Sequence, residues 1–155
     1  MTSVNIFTTQ TEYDEEDPAG YNSAVANVGK QAGGDELAVK LFDVPAGQSL
    51  CPYHYEYVEE WLLVLEGEVV VRAPSGETTV PKGGLVCFPP GPDGAHKISN
   101  TEQQTARVLM FSSNPELAVA VYPDSDKIGV WTGNPDDKLM LKRADGQVAY
   151  WEGEQ

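Results

Sequence analysis

Glycine and proline interrupt this chain so often that a long helix has almost nowhere to form: 15 glycines and 11 prolines are spread over 155 residues. Glycine weakens a helix through backbone entropy, and proline ends one by removing a donor and clashing with the preceding turn. Between the interruptions lie short runs rich in Val, Leu and aromatic residues, at positions 37–44, 61–65, 69–71, 85–88, 107–111 and 117–122. Each has strand length, and most stop at a Gly, Pro or Asn turn signal. Ala73-Pro74-Ser75-Gly76 reads as a tight hairpin joining 69–72 to 77–80, and Glu66-Gly67-Glu68 as a second sharp turn. Many short strands with such turns predict an all-β sandwich or barrel, not a βαβ fold.

The length is that of one domain, large enough to bury a core without disulfide staples. Its 41% hydrophobic and 22% charged residues place it in the ordinary globular range. The apolar run at 61–65 is far too short to cross a bilayer, so no membrane partner is expected. The first residues have neither a basic nor an apolar stretch, so no signal peptide is expected. Ten basic residues against 24 acidic ones give a net charge of −14. That field repels phosphate backbones and excludes nucleic acid as an expected partner. Two cysteines, Cys51 and Cys87, make no disulfide framework, and the expectation is a cytoplasmic protein whose thiols are small buried hydrophobes. Residues 1–34, with the acidic stretch 12–17, read as a solvated arm packed loosely on the barrel or on a second subunit. Residues 35–155 read as the barrel with a C-terminal extension. The aromatic pair Tyr150-Trp151 suggests a tail docked into a groove.

Only two histidines are present, His54 and His96, so any imidazole chemistry must run through them. No Gly-x-Ser-x-Gly, His-Glu-x-x-His, phosphate loop or dinucleotide fingerprint accompanies them. Instead there are two blocks. The first runs Gly47-x6-His54-x-Glu56-x3-Glu60-x6-Gly67, and the second Gly83-x5-Pro89-x-Gly91-x4-His96-x3-Asn100. Side chains two apart on a strand share a face, so His54 and Glu56 project together, and Glu60 can join them. A strand opened by Pro89-Pro90-Gly91 could bring His96 across. Two imidazoles and one or two carboxylates would then converge, a donor set suited to Zn, Fe(II), Mn, Ni or Cu. The plain alternative for both histidines is a hydrogen-bonded core imidazole.

Both blocks resemble the two signature motifs of the cupin superfamily, a small jelly-roll β-barrel with a metal in its mouth. The first family motif has His-x-His where this chain has His54-x-Glu56, and its initial gap is one residue shorter. The second lacks two residues that here precede His96. The segments at 61–68, 122–127 and 150–154 also look like those of bacterial single-domain cupins of no assigned activity. The resemblance implies a divalent transition metal held by His54, Glu60 and His96, with Glu56 in the second-histidine position. Glu56 is then a fourth ligand, or a candidate catalytic acid/base beside the ion. It implies a small oxygen-rich organic ligand or substrate in the barrel mouth. The alternatives are a non-catalytic binding protein whose metal is structural or absent, and an Fe(II)-type dioxygenase. An isomerase is a further enzymatic possibility, and a homodimer is expected.

Around these residues, alternation puts Tyr53, Tyr55 and Tyr57 opposite His54, packed on another sheet or subunit. Glu59 is expected to face solvent. Phe88, Met110 and Phe111 read as core, and Lys97 and Arg107 as surface charge rather than substrate holders. Asp124 and Asp126 read as turn residues, and Gly47, Gly67, Gly83 and Gly91 as backbone devices.

Overall fold

The computed structural model describes residues 1–154 and is built almost wholly of antiparallel strands. In chain order these are β1 (Ala24–Ala26), β2 (Leu37–Val44), β3 (Tyr55–Glu56), β4 (Glu60–Glu66), β5 (Glu68–Ala73) and β6 (Gly76–Pro81). There follow β7 (Leu85–Phe88), β8 (Lys97–Ser99), β9 (Ala106–Ser113), β10 (Ala118–Tyr122), β11 (Lys127–Trp131) and β12 (Leu139–Lys142). The only α-helical pieces among the described residues are single turns, α1 (Val28–Gln31) and α2 (Arg143–Gly146), as the spacing of breakers demands. No helix among the described residues is long and apolar enough to cross a membrane.

Three sheets form, in the orders β1-β2-β9-β4-β7, β6-β5-β8 and β12-β11-β10-β3. The jelly roll arises where the inner face of the first sheet packs on the second. Period-2 alternation supplies that face: Val44, Leu62, Val64, Ala106 and Val108 point inward against Val69, Val71, Val80 and Ile98, all buried. The opposite residues of the same strands, Leu41, Leu65, Leu63 and Leu109, pack on Ala26 and Val28 and on Val4 and Ile6 from the N-terminus. A third cluster joins Tyr53, Tyr55, Ala95, Val121 and Ile128 beneath the third sheet.

The two sharp turns lie where expected. Ala73 pairs with Gly76 across the β5–β6 hairpin. Between β4 and β5, Gly67 takes φ +72°, and a Cβ there would stand 3.2 Å from the Ala106 backbone. Only glycine suits both conditions.

Several expectations are corrected. The N-terminal stretch packs on the barrel, but not loosely: β1 pairs with β2 along Ala24↔Asp43 to Ala26↔Leu41, and Glu12 bridges Val25. Arg107 fastens it, donating to Asp43 at 2.6 and 2.7 Å and to the Ile6 and Phe7 carbonyls. It is therefore a part-buried structural cation rather than free surface charge. The Tyr150–Trp151 pair docks in no groove of this chain; the rings pack on each other and stand 84% and 75% exposed. Cys87 is exposed on β7, and Phe111 lies stacked against Trp61 on the outer face of the first sheet instead of in the core. Phe88 is core as expected, and Met110 packs half-buried against it. Asp124 does more than shape a turn, since it holds Arg72 of β5 in a two-bonded pair at 2.6 and 2.9 Å.

Candidate metal centre

His54 and His96 face each other across an isolated antiparallel bridge. Each donates its backbone N–H to the other's carbonyl, at 3.0 and 2.8 Å. Directly opposed residues in such a bridge send their side chains to the same face, so both imidazoles leave together, ring centroids 4.8 Å apart. The third group comes from the first sheet. Glu60 opens β4, pairs with Ser112 of β9 and Phe88 of β7, and points inward on the same side as Leu62 and Val64. It therefore sits at the mouth end of the core's own inward-facing stripe.

The convergence is close. Glu60 Oε2 lies 3.8 Å from His54 Nε2 and 3.9 Å from His96 Nε2, and ligand atoms of all three residues fall within 4.8 Å of one another. Donors about 2.1 Å from a common ion, at tetrahedral or octahedral angles, stand roughly 3.0–3.4 Å apart. The carboxylate–imidazole distances are about 0.4–0.9 Å wider than that, and the widest separation in the group exceeds it by more than about 1 Å, so the side chains must draw inward to close on an ion. This group could hold a metal ion.

The imidazoles are prepared for that role by what their other nitrogens do. His54 Nδ1 lies 3.0 Å from the Pro52 carbonyl and His96 Nδ1 lies 2.9 Å from the Gly94 carbonyl. A carbonyl can only accept, so both protons sit on Nδ1 and both Nε2 atoms carry bare lone pairs. His96 Nε2 is buried and has no hydrogen-bond partner, a situation that is costly unless something occupies the lone pair. Phe88 stacks on the His96 ring at 3.7 Å and Tyr122 on the His54 ring at 5.8 Å, limiting their rotation.

Burial tunes the charges. It depresses both histidines, His96 to about 4 with further help from His54, and so keeps them neutral. Burial and the neighbouring Glu56 raise Glu60 to about 8, and burial raises Glu56 as well; Lys40 opposes both rises.

Each sequence candidate has a definite place. His54, Glu60 and His96 form the converging group. Glu56 lines the same cavity, but its carboxylate is not among those atoms. Tyr53 and Tyr55 are buried under the third sheet and Tyr57 is exposed, all away from the cavity. Glu59 faces solvent and accepts from Trp61 Nε1 at 2.7 Å. The motif residues Gly91 and Asn100 hold backbone. Gly91, at φ +84°, donates to the Glu56 carbonyl at 2.7 Å. Buried Asn100 donates to the Val44 and Gln104 carbonyls, both at 2.7 Å, and its own backbone pairs with Gly47 and Gln48. The second block thus locks onto the first at both ends. Lys97 stands over the Tyr21 ring.

The cavity measures about 310 Å³, and its space follows from small residues facing the imidazoles: Ala38, Ser112 and Ala118. Two of its residues escaped the sequence reading. Cys51, assigned to the core, lines the wall with its Sγ 3.5 Å from His54 Nδ1; burial pushes its thiol up to about 12, so it stays protonated. Lys40, exposed to solvent, lines the cavity from β2 between Ala38 and Phe42. A lysine in the same alternating register as Ala38, Phe42 and Val44 was the available signal.

Comparison with known proteins agrees with this architecture. Residues 40–112 match the family model described as the cupin domain. No curated protein matches the chain by sequence. A proposed sugar phosphate isomerase from Acidithiobacillus ferrooxidans superposes with a TM-score of 0.81 at 22% identity, covering 93% of this chain and 92% of that one. A sugar phosphate isomerase of the cupin superfamily from Silicibacter pomeroyi gives 0.81 at 18% identity, covering 96% and 97%. The polyketide cyclase RemF from Streptomyces resistomycificus gives 0.62 at 23% identity, covering 74% and 80%. At these identities the likeness is one of fold.

Proposed function

Because the chain belongs to the cupin superfamily and carries a converging His-Glu-His group, we propose that it binds a divalent transition metal through His54, Glu60 and His96. In this reading the ion sits at the barrel mouth, and the cavity beside it binds or transforms a small oxygen-rich organic molecule. The observation that carries the proposal is the pair of backbone-fixed imidazoles with bare Nε2 atoms, one of them buried without a partner. A bound divalent ion (Zn, Fe, Mn or Ni) would act as a Lewis acid toward a substrate oxygen pair.

The chain's own residues supply the rest. Ala38, Ser112 and Ala118 leave the room, while Phe42, Leu50, Ile98 and Met110 form apolar walls that orient a substrate and limit water. Glu56 lines this space outside the converging group, and burial raises its proton affinity. A carboxyl in that state can hold a proton at Oε and pass it to or from a substrate carbon or oxygen, which is general acid/base work. That feature favours proton-transfer chemistry of the isomerase kind over passive binding. A second carboxylate ligand from Glu56 would instead neutralise the site and weaken the Lewis acid. We further place the protein in the cytoplasm and as a homodimer, in keeping with its free cysteines and the exposed leucines of edge strand β12.

Elemental analysis of purified protein and its His96→Ala variant tests the reading. Near-stoichiometric metal in the wild type and a trace in the variant is the expected result. Equal loading of both overturns it.

A further inference from the structure

The cavity wall carries one cationic side chain and two carboxylates, and these are not paired. Lys40, Glu56 and Glu60 all line the space, yet no carboxylate lies within 4 Å of the Lys40 ammonium among the described residues. The arrangement follows from register. On the inner face of the first sheet, Glu60 of β4 stands beside Ser112 of β9, which stands beside Ala38 of β2. The next inward row is Leu62, Met110 and Lys40. Lys40 and Glu60 are thus two strands and one row apart on one face, a lateral separation of about 10 Å from strand spacing alone. Between their bases lie Ser112 and Met110, a short polar-and-apolar floor.

A lysine so placed meets an unusual field. The chain's net charge of −14 repels anions in general, and the two carboxylates add to that repulsion locally. Lys40 is exposed to solvent at the wall of this cavity, where its ammonium can offset Glu56 and Glu60 from a distance or receive an incoming anion. Offsetting is best served by contact, because a charge pair gains most at hydrogen-bond distance. Contact is absent: Lys40 acts on Glu56 and Glu60 only through space, and its ammonium stays free to bond an anion that enters the cavity.

We infer that the molecule held in this cavity is an anion, with a carboxylate or phosphate bound by Lys40 at one end and an oxygen pair directed at His54, Glu60 and His96 at the other. This rests on the metal-site reading and narrows it to a substrate class: a short hydroxylated or keto acid, or a small phosphate ester. It also assigns Lys40 as the specificity residue that separates such ligands from neutral polyols of the same length.

The test uses metal-loaded protein and three probes with one carbon skeleton: glycerol 3-phosphate, glycerate and glycerol. Binding is followed by calorimetry in the wild type, Lys40→Met and Lys40→Arg, with metal content measured on each sample. The wild type is expected to bind one or both anions at least tenfold tighter than glycerol, and the preferred anion tells phosphate from carboxylate. Lys40→Met should lose that tenfold advantage while keeping its metal and its affinity for glycerol, and Lys40→Arg should retain most of it. An anion preference unchanged in a metal-loaded Lys40→Met protein overturns the assignment, as does a wild type that prefers neither anion. If Lys40 only offsets the carboxylates, its removal alters metal content and leaves the anion-to-glycerol ratio alone, which also overturns it. A wild type without metal removes the underlying metal reading, and the metal analysis identifies that outcome separately.

Discussion

Replacing Glu60 by glutamine should make the metal-free protein more stable and the metal-binding protein worse, two effects of opposite sign from one oxygen. Glu60 is raised from 4.5 to about 8, first by burial and then by Glu56. Between those values the folded state holds a proton that the unfolded state has released. Stability of the metal-free wild type therefore falls as pH rises from 4.5 toward 8 and is level above. At about 1.4 kcal/mol for each tenfold change in proton affinity, the full interval corresponds to about 5 kcal/mol. His96 works in the opposite direction: held near 4 when folded against 6.5 when free, it lets stability rise with pH up to about 6.5. The range from pH 6.5 to 9 therefore isolates Glu60, and its share there is about 2 kcal/mol, less whatever water in the open cavity recovers. Glutamine keeps the volume and cannot ionise. Urea denaturation in chelator should show the wild type losing about 1–2 kcal/mol over that pH range and Glu60→Gln losing almost none. The variant should also fail to retain metal on desalting. Parallel stability curves for the two proteins would refute the claim that a desolvated carboxyl stands at this position.

Other consequences can be measured with the same samples. Metal binding must displace the Glu60 proton, so apparent affinity should climb up to about tenfold per pH unit below 8 and flatten above it; calorimetry in buffers of different ionisation heat should find about one proton released. Gly94→Ala would place a Cβ 1.8 Å from the Pro89 carbonyl oxygen. The loop must move, and with it the Gly94 carbonyl that fixes His96, so both melting temperature and metal content should drop, with a stability loss of about 2 kcal/mol or more. Asn100→Ala leaves the buried Val44 carbonyl without its donor; a loss of about 1–3 kcal/mol in denaturation is expected. Its metal content should be unchanged in the folded fraction, because Pro52 and Gly94 orient the imidazoles independently.

How far the sequence could be read depended on whether local pattern or long-range register decided each feature. The strands of the two core-forming sheets announce themselves, because their burial is one-sided and their turns carry Gly or Pro. β11 and β12 do not. Lys127 to Trp131 and Leu139 to Lys142 are mostly half or largely exposed, so no alternation marks them; β11 becomes a strand through pairing with β10, and β12 through pairing with β11. β1 is three residues inside a stretch of small and polar side chains with no alternation, and it is specified by its partner Leu41 to Asp43. At the site, the even spacing from His54 to Glu56 and Glu60 suggests one common face. In the folded chain that regularity is interrupted: β3 ends at Glu56, the chain changes sheet, and Glu60 arrives on β4. An isolated bridge places the imidazoles and the first sheet places the Glu60 carboxylate, and spacing alone cannot show which of the two glutamates will meet the histidines.

That division bears on the chemistry. Two neutral imidazoles and one carboxylate leave a divalent ion with formal charge +1, whereas a second carboxylate would bring the site to zero. Glu60 is anchored by strand pairing on both sides, to Phe88 and to Ser112, and its direction is set by the same alternation that builds the core. Glu56 is anchored only at the end of a two-residue strand, by Ala120 and by the Gly91 amide. The rigid glutamate thus stands where a ligand needs fixed geometry. The glutamate with fewer restraints stands where a proton carrier needs room to reach a substrate. In the proposed reading, Glu56 in place of the second histidine of the cupin motif removes a ligand and introduces an acid/base group in one substitution. Glu56→His should accordingly strengthen metal retention while lowering any proton-transfer rate. Metal lost more readily from Glu56→His than from the wild type would show instead that Glu56 is itself a ligand that histidine cannot replace.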